Sequence, residues 1–315
     1  MLRASLTRSS SYSALLRRTM STIQAKPFKL ALVQLGGLSE DKTKNLEIAA
    51  AGVKEAVSQG KVDLVVLPEI FNSPYAVTAF RKYSEPIPND LPAQAGSLES
   101  ESTKALSQMA KENKIWLIGG SIPEIESDTD HIYNTCTVYN PDGDLVVKHR
   151  KVHLFDIDIP GKQTFKESET LTGGNTLNTF ETPFGKIGLG ICYDIRFPEM
   201  AMIAARQGVV AMIYPSAFNT TTGPIYWTLL QRARAVDNQI FVAMCSPARH
   251  PGASYQAYGH SSVVAPNGDV LAEADEHPTI VYADIDTQLL ASTRSGLPVT
   301  VQRRFDVYPN VADGN

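Results

Sequence analysis

Residues 186–214 read KIGLGICYDIRFPEMAMIAARQGVVAMIY. The apolar, glycine-bearing run over 186–191 predicts a buried strand. Pro198 can open a helix at its first turn, and that helix extends over 198–207. The run over 209–214 predicts a second buried strand. Strand, helix and strand in direct succession place this stretch in an α/β fold, with a cysteine at the turn out of the first strand.

The same alternation extends in both directions. Upstream, 28–35 (FKLALVQL) and 64–67 are short apolar strands, and 41–58 sets Leu46, Ala49, Ala50, Val53 and Val57 on one helical face. A helix is expected over 102–113, followed by a strand over 115–118 that Gly119-Gly120 closes. Two hairpins are indicated, 135–139 with 145–149 across Pro141-Asp142-Gly143, and 176–180 with 186–191 across Pro183-Phe184-Gly185. Downstream come a helix over 226–237, a strand over 240–245, a hairpin of 262–265 with 270–273, and a last strand over 280–285. Hairpins mixed with helix-separated strands imply mixed sheets. Two sheets packed face to face with helices outside suit this pattern, and no linker or internal repeat divides the chain.

Composition excludes several classes of function. The 315 residues are 43% hydrophobic and 20% charged, as in ordinary globular proteins. The net charge is -4 and the main body has no dense Lys/Arg stripe, so nucleic-acid binding has no electrostatic support. No apolar run approaches the roughly 18 residues that span a bilayer, so a membrane role is not expected. The cysteines Cys136, Cys192 and Cys245 are far apart and odd in number, which argues against a disulfide framework and a structural zinc site. Residues 1–20 differ from the rest: Arg3, Arg8, Arg17 and Arg18 lie among serines and leucines with no acidic residue. An Arg-rich, Ser-rich, acid-poor leader reads as a mitochondrial transit peptide. Met20 offers an internal start for a cytoplasmic form.

Three segments could carry chemistry. The first is Cys192 in GLGICYDIRFPE (188–199), a thiol at a strand-to-helix turn, where a helix N-terminus would lower its pKa. The second is Glu69, which ends the apolar strand 64–67 after Pro68. A carboxylate buried there would have a raised pKa and could serve as a general base. The third is KHRKVHLF (148–155), in which strand alternation sends His149 and Lys151 to one face and Arg150 to the other. An inward Lys151 could stabilise an oxyanion. Taken one at a time, a core cysteine, a solvated strand end and a basic surface run are the commoner readings of these segments. His149 and His153 lie four apart in a strand-like context without a third ligand, so no metal site is expected. The chain contains no P-loop, dinucleotide fingerprint or G-x-S-x-G elbow.

Together and in order, LPE (67–69), HRKVHL (149–154) and GLGICYDIRFPE (188–199) resemble the nitrilase superfamily of carbon-nitrogen hydrolases. The resemblance covers residues 28–305, leaving 306–315 as a C-terminal tail. FNSPY (71–75), FDIDIPG (155–161), YPSAFNTTTGP (214–224), RARAVDN (232–238) and SPAR (246–249) are similar to its ω-amidase branch. That branch acts on 2-oxoglutaramate and 2-oxosuccinamate. The resemblance implies an α/β fold, a four-layer αββα sandwich, assembled as a homodimer or larger homo-oligomer. It implies Glu69 as base, Cys192 as nucleophile, Lys151 with the Tyr193 backbone N–H at the oxyanion, and Glu167 as a second carboxylate orienting Lys151. Arg196 would grip the substrate's far carboxylate in a two-pronged contact, with an ion pair to Asp194 or Glu199 as its structural alternative. Tyr75, Phe218 and Thr222 are further pocket candidates. Amide hydrolysis through a thioester needs these groups and water, so no cofactor is expected. Another amide, ureide or nitrile hydrolase of the same superfamily, or a catalytically silent interaction module, are the competing readings.

Overall fold

The computed structural model describes residues 25–161, 163–308 and 312. The leader over 1–20 and the proposed start at Met20 lie outside the described residues.

Two six-stranded mixed sheets form the centre. The first runs in the order β14 (Thr279–Ile285), β1 (Phe28–Gln34), β2 (Leu64–Val66), β3 (Trp116–Glu126), β4 (His131–Tyr139), β5 (Leu145–Arg150). A two-stranded hairpin, β6 (Asp156–Ile159) with β7 (Gln163–Lys166), stands apart from both sheets. The second sheet runs in the order β13 (Val270–Glu273), β12 (Ser262–Val264), β11 (Phe241–Cys245), β10 (Ala211–Pro215), β9 (Gly185–Leu189), β8 (Thr179–Thr182). In each sheet the three central strands are parallel and the flanking ones antiparallel, as the mixture of hairpins and helical crossovers requires.

Period-two alternation along β1 explains the layering. Leu30 and Leu32 join the core shared with Ile187, Leu189, Ile213 and Ala243 of the second sheet. Ala31 and Val33 point the other way. They pack with Leu46, Ala49 and Val53 of helix α1 (Lys42–Ser58), and the same cluster takes in Leu106 and Ala110 of a later helix, Glu101–Asn113. Between these two helices lies α2 (Val77–Tyr83), so Glu101–Asn113 is α3. On the far side α4 (Pro198–Arg206) and α5 (Gly223–Asn238) add Ala201, Ala204, Trp227 and Ala235 to the core of the second sheet. The result is the αββα sandwich. The chain closes with α6 (Thr287–Gly296) and α7 (Val299–Gln302).

Two expectations need correction. The strand expected to stop at Gly119-Gly120 continues to Glu126, with its register shifting between Ile118 and Ser121. The glycines form a bulge in which Gly120 has φ +61°, and a Cβ there would lie 2.2 Å from the Pro68 carbonyl oxygen. Ser121 donates its N–H to that oxygen at 3.2 Å and receives the Ile70 N–H at 3.1 Å. The bulge therefore seats the turn that carries Glu69. The β6–β7 hairpin, α2, α6 and α7 lie outside the expected elements, since α2 and α7 are short and the Asp-Ile alternation of β6 spans only four residues.

Candidate active site

Glu69, Cys192 and the residues after β10 lie at the carboxyl ends of the parallel strands, the usual site of ligand crevices in layered α/β folds, and Lys151 joins them from the end of the edge strand β5. Glu69 follows β2, Lys151 follows β5, Cys192 follows β9, and Ala217 and Phe218 follow β10. Glu167 lies just after β7 in a short 3-10 turn, Glu167–Glu169.

Lys151 is fully buried and lies between two carboxylates. Its Nζ donates to Glu69 Oε1 at 2.9 Å and to Glu167 Oε1 at 3.0 Å, with Glu167 Oε2 at 2.9 Å. Burial alone would favour the neutral amine, but the charges of Glu167 and Glu69 outweigh it and hold the ammonium well above the ordinary lysine range. Asn134 donates Nδ2 to Glu69 Oε1 at 2.8 Å. Tyr75 donates its hydroxyl to Glu167 Oε1 at 2.7 Å and sits 3.3 Å from Glu69 Oε1. The Phe155 N–H completes the shell of Glu167 through Oε2 at 2.8 Å. Every strong donor near Glu69 thus goes to Oε1, and Oε2 is buried without a hydrogen-bond partner.

Cys192 is the neighbour of that carboxylate. It begins a 3-10 turn, Cys192–Arg196, at φ +45°, a backbone conformation costly for any residue with a Cβ. Gly190 permits the approach to the turn, since a Cβ there would lie 2.4 Å from the Tyr214 ring. Arg234 of α5 anchors the turn from outside, donating Nε to the Ile195 carbonyl at 2.8 Å and Nη2 to that of Arg196 at 2.9 Å. Cys192 is only 3% exposed. Burial, and then the Glu69 carboxylate, push its pKa well up, while Lys151 and the Ala217 backbone pull more weakly the other way. The expected lowering by a helix N-terminus is therefore corrected: one short turn cannot offset desolvation beside a carboxylate. The carboxyl of Glu69 is itself raised, first by burial and also by Glu167, against the pull of Lys151. Both partners of the pair are thus shifted toward their neutral forms. The Tyr193 N–H lies in the first turn, where backbone donors have no intrahelical acceptor.

Arg196 forms neither of the ion pairs weighed for it. Asp194 is committed to His149 and His153, and among the described residues no carboxylate pairs with the guanidinium. Instead it stacks over Tyr226, Phe218 and Tyr193, at 4.5, 5.0 and 5.4 Å from their ring centres, with a buried Nε that lacks a partner. Thr222 is less available, because its hydroxyl donates to Asn219 Oδ1 at 3.0 Å and a substrate carboxylate could not donate in return. A cavity of about 380 Å³ opens beside Glu69 and is lined also by Tyr75, Ala217, Arg249, His250 and Tyr255. Tyr255 stacks on Tyr75 with ring centres 4.4 Å apart and donates its hydroxyl to the Ala217 carbonyl. Sequence reading missed Asn134 and Tyr255. Asn134 was legible as a lone amide in the apolar run IYNTC, whereas Tyr255 sits in a loop with no comparable signal. Among the described residues no cluster of three or more His, Cys, Asp or Glu side chains could hold a metal ion.

A thiol, two carboxylates and a buried ammonium thus share one site, and comparison places the chain in a family. Residues 29–295 match the carbon-nitrogen hydrolase model, and the chain belongs to that family. It is 54% identical over 292 residues to the omega-amidase NIT3 of Saccharomyces cerevisiae, covering 92% of this chain and 98% of that protein. It is likewise 54% identical to the omega-amidase NIT2 of Mus musculus over 89% of this chain and 96% of the other. The crystal structure of S. cerevisiae Nit3, a member of branch 10 of the nitrilase superfamily, superposes with a TM-score of 0.82 at 51% identity, covering 90% of this chain and 99% of that one.

Proposed function

We propose that this protein is an ω-amidase that hydrolyses the terminal amide of a small dicarboxylic half-amide, such as 2-oxoglutaramate or 2-oxosuccinamate, through a thioester on Cys192. The observation that carries this reading is the buried Glu69 carboxylate, which interacts with the Cys192 thiol, with Lys151 held between Glu69 and Glu167. Full-length similarity to two proteins named as omega-amidases supports the choice of amide.

Glu69 takes the thiol proton as sulfur attacks the amide carbon, and the carbonyl electrons move to oxygen. Lys151 and the Tyr193 N–H stabilise that oxyanion. When the intermediate collapses, the C–N bond breaks, Glu69 returns its proton to the nitrogen and ammonia leaves. A water then gives a proton to Glu69 and attacks the thioester. The C–S bond breaks, the acid is released, and the thiol regains its proton. Arg196, unpaired and set among aromatic rings, is the proposed anchor for the distal carboxylate, with Tyr75 and Phe218 as walls. Ammonia release from 2-oxoglutaramate by wild type, and none by Cys192→Ala, is the expected result. An inert wild type, whose Cys192 still accepts a thiol label, would reassign the site to other amides, ureides or nitriles.

Two coarser proposals accompany this one. A homodimer would cover the apolar stripe of α5, where Ile225, Leu229 and Val236 are exposed at helical spacing. Leu229→Glu should then shift the sedimentation coefficient toward a monomer, and a monomeric wild type would remove the proposal. Import into mitochondria with loss of the leader predicts a mature N-terminus beyond residue 20, and an intact Met1 in the organelle would contradict it.

A further inference from the structure

Amide hydrolysis at this site requires the Cys192 sulfur and the Lys151 ammonium to meet one carbonyl group. Yet Lys151 leaves the end of β5 in the first sheet, and Cys192 leaves β9 in the second. The contact between the sheets is largely apolar and so non-directional, and the bonds that cross it from Cys245 to the Val33 and Val66 carbonyls join β11 to β1 and β2 rather than β9 to β5. Something directional must set the register of the two strand ends.

Asp194 is where bonds from both ends meet. On the nucleophile side, its Oδ2 accepts the Ile191 N–H at 2.9 Å and its own N–H donates to the Ile191 carbonyl at 3.0 Å, closing a ring around Cys192. On the lysine side, its Oδ1 accepts the His153 N–H at 2.9 Å and bonds His153 Nδ1 at 2.8 Å. His149 Nε2 lies 3.4 Å from Oδ2. His149 and His153 bracket Lys151 two residues before and two after it. The carboxylate is fully buried, and His153 is further held by a stack on Phe197 with ring centres 3.6 Å apart. An ionised carboxylate offers two accepting oxygens and no donor, so it can receive all of these groups, whereas an amide in its place would turn an N–H₂ toward one of them.

We propose that Asp194 is a positioning residue, a clamp that, through His153 and His149, holds the Cys192 turn in register with the Lys151 ammonium. The clamp touches no substrate and rests on the amidase reading of the site. It predicts that the hydrogen bond from the His153 ring matters to turnover, and that the ring's stacking does not.

Two substitutions separate those contributions. His153→Phe keeps a ring to stack on Phe197 but loses the Nδ1 bond, whereas His153→Asn keeps an N–H donor near the Nδ1 position and loses the ring. With active sites counted by Cys192 titration, kcat on 2-oxoglutaramate should fall about 10²-fold in His153→Phe, the scale of an ångström of misplacement. KM should stay nearly constant, and Cys192 alkylation by iodoacetamide, followed on its own peptide, should slow. His153→Asn should keep kcat and alkylation within a few-fold of wild type. A side chain that only supports folding would lower the yield of titratable enzyme and leave kcat per site alone. Wild-type kcat in His153→Phe, or an equal loss in His153→Asn, overturns the clamp. If the wild type released no ammonia, the amidase reading would fail by itself. The alkylation rates would still decide the clamp, equal rates in wild type and His153→Phe refuting it.

Discussion

Replacing Glu167 by glutamine should loosen Lys151, destabilise the fold and move the acid side of the pH profile, and the sizes follow from the contacts of one carboxylate. Glu167 receives the Lys151 ammonium on both oxygens, the Tyr75 hydroxyl at 2.7 Å and the Phe155 N–H at 2.8 Å. Glutamine has one accepting oxygen, so its amide nitrogen must face a donor. Attraction between unit charges about 3 Å apart is roughly 5–6 kcal/mol at an effective dielectric of 20. Glu69 still pairs with the ammonium in the variant, so the net loss of stability should be about 3–5 kcal/mol, the range for breaking a buried pair. An ammonium free to drift from the oxyanion forfeits up to about 3–4 kcal/mol of transition-state stabilisation, or roughly 10²–10³ in kcat. The pH effect has a definite sign. Burial and the charge of Glu167 both raise the Glu69 pKa, so removing that charge lowers it. The base then stays ionised to lower pH, and the acid limb of kcat/KM moves down. Urea unfolding and ammonia release across the acid range measure all three effects. Unchanged stability with an unmoved acid limb would refute the view that Lys151 is held, and Glu69 tuned, by Glu167.

Three further outcomes are expected. Gly120→Ala places a methyl 2.2 Å from the Pro68 carbonyl at a positive φ. It should cost more than the roughly 1 kcal/mol of left-handed strain and lower kcat by displacing Glu69, whereas wild-type kcat and melting temperature would mean that the bulge does not seat the base. Arg196→Lys should raise KM for the half-amide several-fold while leaving a small neutral amide unaffected, and equal losses on both would remove Arg196 as the carboxylate anchor. Glu124 is buried, which alone would raise its pKa, but Arg150, Lys148 and Thr135 bond it and hold it below 4.5. Its stabilising contribution is present above the unfolded value of 4.5 and is lost as pH falls through the lower folded value. Glu124→Gln should therefore flatten the acid side of the stability profile, and an unchanged slope would show that the network contributes nothing there.

Local physics made much of this legible in the chain. Apolar periodicity located the strands and helices that build both sheets, because the burial of one face repeats every two residues in a strand and every 3.6 in a helix. Glu69, Lys151 and Cys192 stood out only together, because their three motifs in order resemble one family, whereas each segment alone reads as readily as structure. By the same alternation, His149 and Lys151 are buried while Arg150 turns outward to Glu124 and Glu126. Segments too short for a period to stand out, the four-residue strands of the β6–β7 hairpin and α2 among them, were not legible, although the hairpin carries the chain from Lys151 to Glu167.

The chain by itself determined the alternation of strands and helices and, through three ordered motifs, the family and its candidate reacting groups. Only the tertiary structure decided how those groups are tuned. Tyr75 reaches Glu167 across 92 residues, Asn134 reaches Glu69 across 65, and His153 reaches Asp194 across 41. No periodicity encodes such pairings, because they depend on which side chains the packed sheets bring to the same few cubic ångströms. The direction of the Cys192 shift was misread for the same reason. A local sequence suggests a helix terminus, but the depth of burial and the placement of a carboxylate beside the thiol are properties of the assembled sandwich.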